Sequence, residues 1–363
     1  MAGIAPEVRA LMRPSAAALD PYDPAFSPVD VILSANENNY GIPPEVAPAL
    51  AAAVTEAAWN RYPVPLGGEL RSQIAAWHNV APERVIIGNG GDELLFNFFL
   101  AFGGAGHALV SCPPTFSVYG LYASMVETPV IEVAREKDFA PNVDALVEAA
   151  RTAMLVVVTS PNNPTGDLFP RDGVRRLCEA CPGIVLVDEA YMEFADPGSS
   201  VEGLLPTYDN LAVLHTFSKA FALAGARVGY VLASAPVVAA LAAVRQPYSV
   251  SVLDQAAALA AVTHRDAFLP AIEAIRMDRT RLSATLAGLA SLGVRVWPSQ
   301  ANFICVRVPH ARDAWRRLRD ERSILVRDFS STPGLEDCLR ITVGKPEEND
   351  LVVGALTSIL KGE

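Results

Sequence analysis

The feature that most restricts the fold is a succession of short apolar runs, each ending in a polar or glycine-rich motif. RVIIGNG, HALVSCPP, AMLVVVTSPNNP, GIVLVDEAY and LAVLHTFS follow one another between residues 84 and 218. They are rich in Val, Leu and Ile but lack the strict alternation of a half-exposed strand, as expected of strands covered on both faces. Helical stretches such as NVDALVEAARTA and RDGVRRLCEACPG separate most of them. The pattern predicts an α/β domain with a mostly parallel sheet and helices on both sides.

The chain has 363 residues, more than one hydrophobic core usually serves. From about residue 264 the pattern changes. A long helical stretch, RDAFLPAIEAIRMDRTRLSATLAGLASLG, leads to short strands (VRVWPS, NFICVRV, ILVRDF, CLRITVG) and the helices ARDAWRRLRD and EENDLVVGALTSIL. Residues 41–263 are therefore expected to form a large domain and 264–363 a smaller α+β domain. The proline-punctuated segment 1–40 is expected to pack near the small domain.

Composition excludes several functions. A net charge of −11 argues against nucleic acid, whose phosphates need a basic surface. No uninterrupted apolar run is long enough to span a bilayer, and MAGIAPEVRALMRP lacks the apolar core of a signal peptide. The five cysteines are few and odd in number, which suits a reducing, cytoplasmic setting. Cys178 and Cys181 form a lone CxxC with neither a second pair nor a histidine pair, so no metal site is expected.

In open parallel sheets ligands bind beyond the C-terminal ends of the strands, and four motifs fall there. In GNGGDELL, Gly90 and Gly91 allow close backbone approach and Asp92 can cap the following helix; it is a tight turn or a phosphate site. SPNNPTG is a rigid turn that would hold Asn163 at the sheet edge, or an ordinary loop. In VDEAY, Asp188 closes a strand and needs a partner, through a cap, an ion pair or a ligand. The strongest is HTFSKAFALAGARVGY. Thr216 and Ser218 share a strand face, Lys219 follows, and Arg227 lies eight residues on. Two hydroxyls and an arginine suggest an anion site, and a nearby cation with partial burial would depress the lysine pKa and make the amine nucleophilic.

Taken together these strings resemble the fold-type I, pyridoxal-phosphate-dependent aminotransferases of classes I and II, and within them the histidinol-phosphate aminotransferases. The resemblance runs from NENNYG through NRYP, GNGGDE, PPTF, SPNNPTG, VDEAY and the lysine motif to LRITVGKPEEND. It implies the aspartate aminotransferase-like fold and a ping-pong transamination between histidinol phosphate and 2-oxoglutarate, giving imidazole acetol phosphate and glutamate. Lys219 would carry pyridoxal 5′-phosphate as an internal aldimine and shuttle the substrate proton. Asp188 would pair with the pyridine nitrogen, Tyr191 and Asn163 with the ring oxygen, and Phe116 would stack on the ring. Gly91, Asp92, Thr216, Ser218 and Arg227 would surround the phosphate. Tyr62 would reach the phosphate of a neighbouring subunit, implying a homodimer with shared sites. Arg340 and Arg327 would bind the substrate carboxylate and phosphate. An aromatic or broad-specificity aminotransferase and a threonine-phosphate decarboxylase share the cofactor residues and stand as alternatives. A regulator with an aminotransferase-like domain would carry a helix-turn-helix domain, and the stretch before NENNYG is too short for one. Asn39, Ile42 and Ser251 depart from the family's usual residues.

Overall fold

The computed structural model describes residues 4–19 and 27–363. In chain order its strands are β1 (Val31–Leu33), β2 (Val85–Asn89), β3 (Leu109–Ser111), β4 (Val130–Glu132), β5 (Leu155–Thr159), β6 (Ile184–Asp188), β7 (Leu211–Thr216), β8 (Val228–Ala233), β9 (Arg295–Val296), β10 (Phe303–Arg307), β11 (Ile324–Asp328) and β12 (Cys338–Thr342). They form a seven-stranded sheet of order β2-β8-β7-β6-β5-β3-β4 and a five-stranded sheet of order β1-β11-β12-β10-β9.

In the large sheet β7, β6, β5, β3 and β4 run parallel, and β8 alone is inverted between β2 and β7. The apolar runs lack alternation because both faces are covered. Along β6, Val185 and Val187 join one buried cluster and Leu186 another; along β7, Val213 joins the first and Ala212 and Leu214 the second. Successive side chains of a strand point to opposite faces, so each core takes every second residue.

The small sheet joins distant parts of the chain. Val31–Leu33 pairs in parallel with Ile324–Val326, so the N-terminal segment supplies its edge strand. Ahead of it, the short helix Pro14–Ala17 lies beside the large sheet's layer. Arg13 Nη2 donates to the Met125 carbonyl at 3.4 Å and the Ser15 hydroxyl donates to Glu127 at 3.3 Å. The helix Ala311–Arg322 covers the small sheet, with Trp315 Nε1 donating to the Val326 carbonyl at 3.0 Å.

Candidate active site

β2, β5, β6 and β7 all end at one edge of the large sheet, and beyond that edge lies a cavity of about 480 Å³. The small sheet closes its far side with Ile32, Arg327, Phe329 and Arg340.

At one end, β2 runs straight into the helix Gly90–Phe102. Gly90 sits at φ +74°, and a Cβ there would lie 2.5 Å from Arg227 Nη2. A Cβ on Gly229 would meet the Gly91 nitrogen at 2.8 Å. Glycine at both positions lets a helix N-terminus, a strand and a guanidinium crowd together. Arg227 donates to Asp92 at 2.9 Å and to Ser218 Oγ at 3.3 Å. Thr216 Oγ1 donates to Ser218 Oγ at 3.0 Å. Asp92 does not cap its helix: it lies inside the first turn, and its carboxylate pairs with Arg227 instead. This end offers backbone amides, two hydroxyls and an arginine, the donor set of a phosphate site.

Lys219 follows Ser218, and its Nζ donates to the Ala35 carbonyl at 2.8 Å. Burial first, then the positive charge of Arg340, lowers its pKa to about 8. Asp188, at the end of β6, accepts from the Ala190 amide at 3.1 Å and from the Tyr119 hydroxyl at 2.7 Å. Burial pushes its pKa up to about 6, against the pull of those two donors. Tyr191 accepts from Asn36 Nδ2 at 3.1 Å, and burial raises its pKa. Asn163, on the SPNNPTG turn, accepts from Arg340 Nη1 at 2.6 Å.

Arg327 and Arg340 are direct cross-strand partners on antiparallel β11 and β12, so both face the cavity from one side of the small sheet. Two carboxylates lie near Arg327 in sequence. Asp328 pairs with Arg312 at 2.5 Å, and Glu336 accepts from the Gly334 amide at 2.9 Å.

Of the residues singled out from sequence, Gly91, Asp92, Phe116, Asn163, Asp188, Tyr191, Thr216, Ser218, Lys219, Arg227, Arg327 and Arg340 line this cavity. Tyr62 does not; it is 80% exposed and stacks on Tyr248 at 4.6 Å. Two residues escaped sequence reading. Asn36 orients Tyr191 from the N-terminal segment; its signal was its place at the head of NENNYG. Tyr119 bonds Asp188; its signal was its position one helical turn beyond Phe116. Departures from the family pattern have structural roles. Ser251 caps the helix Val252–Thr263 by accepting from the Asp254 amide, and Asn39 donates to Glu348 at 2.9 Å.

Behind β6 and β7 lies a second polar group. His78 Nδ1 is 2.8 Å from Glu202 Oε2, and His215 Nε2 is 3.0 Å from Glu202 Oε1 and 3.7 Å from Glu189 Oε2. Burial pushes Glu189 up to about 8, although the Val201 amide and the Ser200 hydroxyl both donate to it. Cys178 and Cys181 are buried free thiols near the end of the helix Arg171–Ala180, and Cys181 Sγ contacts the Ala153 carbonyl.

Residues 29–356 match the model of the family Aminotransferase class I and II, and the chain belongs to that family. It is an aminotransferase, with the mixed α/β architecture of its structural neighbours. A histidinol-phosphate aminotransferase of Roseiflexus castenholzii is 39% identical over 372 residues, covering 97% of this chain and 99% of that protein. Another, of Thermococcus gammatolerans, is 39% identical over 331 residues, covering 91% and 92%. The crystal structure of histidinol-phosphate aminotransferase from Sinorhizobium meliloti in complex with pyridoxal-5′-phosphate superposes with a TM-score of 0.88 at 27% identity, covering 97% of this chain and 98% of that one.

Proposed function

We propose that this aminotransferase uses pyridoxal 5′-phosphate to exchange the amino group of histidinol phosphate with 2-oxoglutarate, yielding imidazole acetol phosphate and glutamate. The observation that carries the substrate is the Arg327–Arg340 pair. Both side chains line the cavity from one strand pair, and planar guanidinium groups suit the oxygens of a phosphate or a carboxylate. The names and high coverage of the relatives support the same substrate.

The cavity fits the cofactor by its own chemistry. Its amide- and hydroxyl-lined end, with Arg227, suits a phosphate. A buried carboxylate, Asp188, waits at the other end for a protonated ring nitrogen, and Lys219 stands between. When bound, the cofactor supplies an electron sink for charge developing at the substrate Cα. The protein does the rest. Phe116 offers an aromatic face, and Asn163 and Tyr191 offer polar groups to the ring oxygen. Lys219 Nζ, with its pKa near 8, can take a proton from Cα and return it near neutral pH. Donor and acceptor share one pocket, so they bind in alternation.

The same reading assigns residues 41–263 to cofactor binding and 264–363 to the small domain. Tyr62 is proposed to reach the phosphate of a second copy of the chain. Support comes from its exposure and that of Trp59 and Val64 on the same segment, an apolar surface that a partner would cover. Cytoplasmic residence is supported by five free cysteines and by the absence, among the described residues, of any helix long and apolar enough to cross a membrane.

A half-reaction screen tests the function. Cofactor-loaded enzyme is mixed with histidinol phosphate, histidinol, phenylalanine, tyrosine or threonine phosphate, without an oxo acid, and the cofactor absorbance is followed. Fast conversion with histidinol phosphate alone is expected. Preference for phenylalanine or tyrosine would favour an aromatic aminotransferase, and release of carbon dioxide from threonine phosphate a decarboxylase.

A further inference from the structure

Tyr119 is buried in the helix Val118–Met125. Its hydroxyl oxygen lies 2.7 Å from Asp188 Oδ2 and 2.7 Å from Thr159 Oγ1. The protons in this group can be assigned by counting. An ionised Asp188 only accepts, so the Tyr119 proton points at it. Asn162 Nδ2 is committed to the Pro114 carbonyl at 3.0 Å and to Thr165 at 2.7 Å, which turns Asn162 Oδ1 toward the Thr115 hydroxyl at 2.7 Å. The Thr115 proton is thereby used. The Thr159 proton has two oxygens to choose from, Tyr119 at 2.7 Å and Thr115 at 3.3 Å. Two oxygens at 2.7 Å with no proton between them would repel, whereas 3.3 Å is an ordinary contact. Thr159 therefore donates to Tyr119, and Tyr119 donates to Asp188.

We propose that Tyr119 is a positioning residue for transamination, acting through Asp188: it is the dedicated donor that keeps this carboxylate ionised and aimed at the cofactor ring. The inference rests on the cofactor reading given above. Burial alone favours the neutral acid. A neutral Asp188 could not hold a proton on the ring nitrogen by charge. The tyrosine hydroxyl is itself well suited to the task. Burial, and then the adjacent Asp188, raise its pKa well above the usual value, so it remains a donor at any working pH. Its ring also meets Phe116 edge-on, with centroids 5.6 Å apart at 88°. One side chain thus braces both the stacking ring and the anion. The other titratable groups acting on Asp188 are Asp92, which opposes its ionisation, Lys219, which favours it, and Tyr191.

The test is Tyr119→Phe, which keeps the ring and removes the donor. In the apoenzyme with carbon-13-labelled aspartate, the Asp188 resonance (assigned by its loss in Asp188→Asn) should titrate roughly one to two pH units higher in the variant, as expected for loss of a hydrogen bond to a charged group. Thr159→Val should move it the same way by less. In the loaded enzyme kcat should fall about tenfold near neutral pH with KM little changed. In an Asp188→Ala background Tyr119→Phe should have no further effect on kcat or on cofactor affinity. An unmoved titration, or an undiminished cost in that background, overturns the inference even if the wild type binds pyridoxal phosphate. A wild type that binds none overturns the cofactor reading and this inference with it, whatever Asp188 does in the apoenzyme.

Discussion

Replacing Gly90 by alanine tests whether the phosphate end of the cavity depends on close backbone approach. Gly90 has φ +74°, and an alanine Cβ would sit 2.5 Å from Arg227 Nη2. Holding alanine in the left-handed region costs about 1–2 kcal/mol. The guanidinium is the mobile end of a side chain and can retreat, so the steric cost is small, but in retreating it abandons Asp92 and Ser218. The Arg227–Asp92 pair is half-exposed on both sides and contributes no more than about 1 kcal/mol. The apoenzyme should therefore lose about 1–3 kcal/mol, a few degrees in melting temperature. The larger effect falls on the ligand. Loss of an arginine bond to a phosphate is worth about 1.5–3 kcal/mol, so the Kd for pyridoxal phosphate should rise on the order of 10- to 100-fold. Differential scanning fluorimetry and a fluorescence titration give both quantities. If Gly90→Ala bound pyridoxal phosphate as tightly as the wild type, the proposed role of Arg227 would be wrong.

Other outcomes follow from the same geometry. Arg327→Ala should lower kcat/KM for histidinol phosphate by roughly 10- to 100-fold while changing that for phenylalanine little, because the lost bonds hold a phosphate remote from the reacting carbon; equal losses would remove the phosphate role. Hybrid dimers of Tyr62→Phe with Lys219→Ala should regain one native site if Tyr62 serves its neighbour, whereas a Tyr62 acting in its own subunit leaves no native site and no recovery. Glu189 is held at a pKa of about 8 against an ordinary 4.5. A carboxyl with a raised folded pKa binds its proton more tightly when folded, so the contribution of Glu189 to stability is full below about pH 4.5 and is lost as pH rises towards 8. Glu189→Gln should therefore gain melting temperature relative to wild type between pH 5 and 8; a difference constant across that range would show that Glu189 does not titrate there.

Much of this was legible because the chemistry sits where the chain's own punctuation lies. Val156–Thr159, Val185–Asp188 and Val213–Thr216 read as buried strands from composition alone, and the polar residues that stop them line the cavity. What was not legible depends on contacts between remote segments. The pairing of Val31 with Ile324 leaves no local pattern, and neither does the bond from Asn36 to Tyr191. Asp92 looked like a helix cap because it follows two glycines, but the helix already begins at Gly90, which places Asp92 inside the first turn, where it pairs with Arg227. His215 read as part of the strand before the lysine motif. Its partner Glu202 lies across a loop, so the group behind β6 and β7 appears only once the strands are laid side by side.

Lys219 is proposed to carry the cofactor and to move the substrate proton. Reduction of the loaded enzyme with borohydride fixes the cofactor on the lysine that holds it, and peptide mass spectrometry locates it. The chain offers Lys137, Lys219, Lys345 and Lys361, and of these Lys219 lines the cavity. The added mass is expected on the peptide containing Ser218–Lys219–Ala220. A label on any of the other three lysines, or none at all, would show that Lys219 does not carry the cofactor.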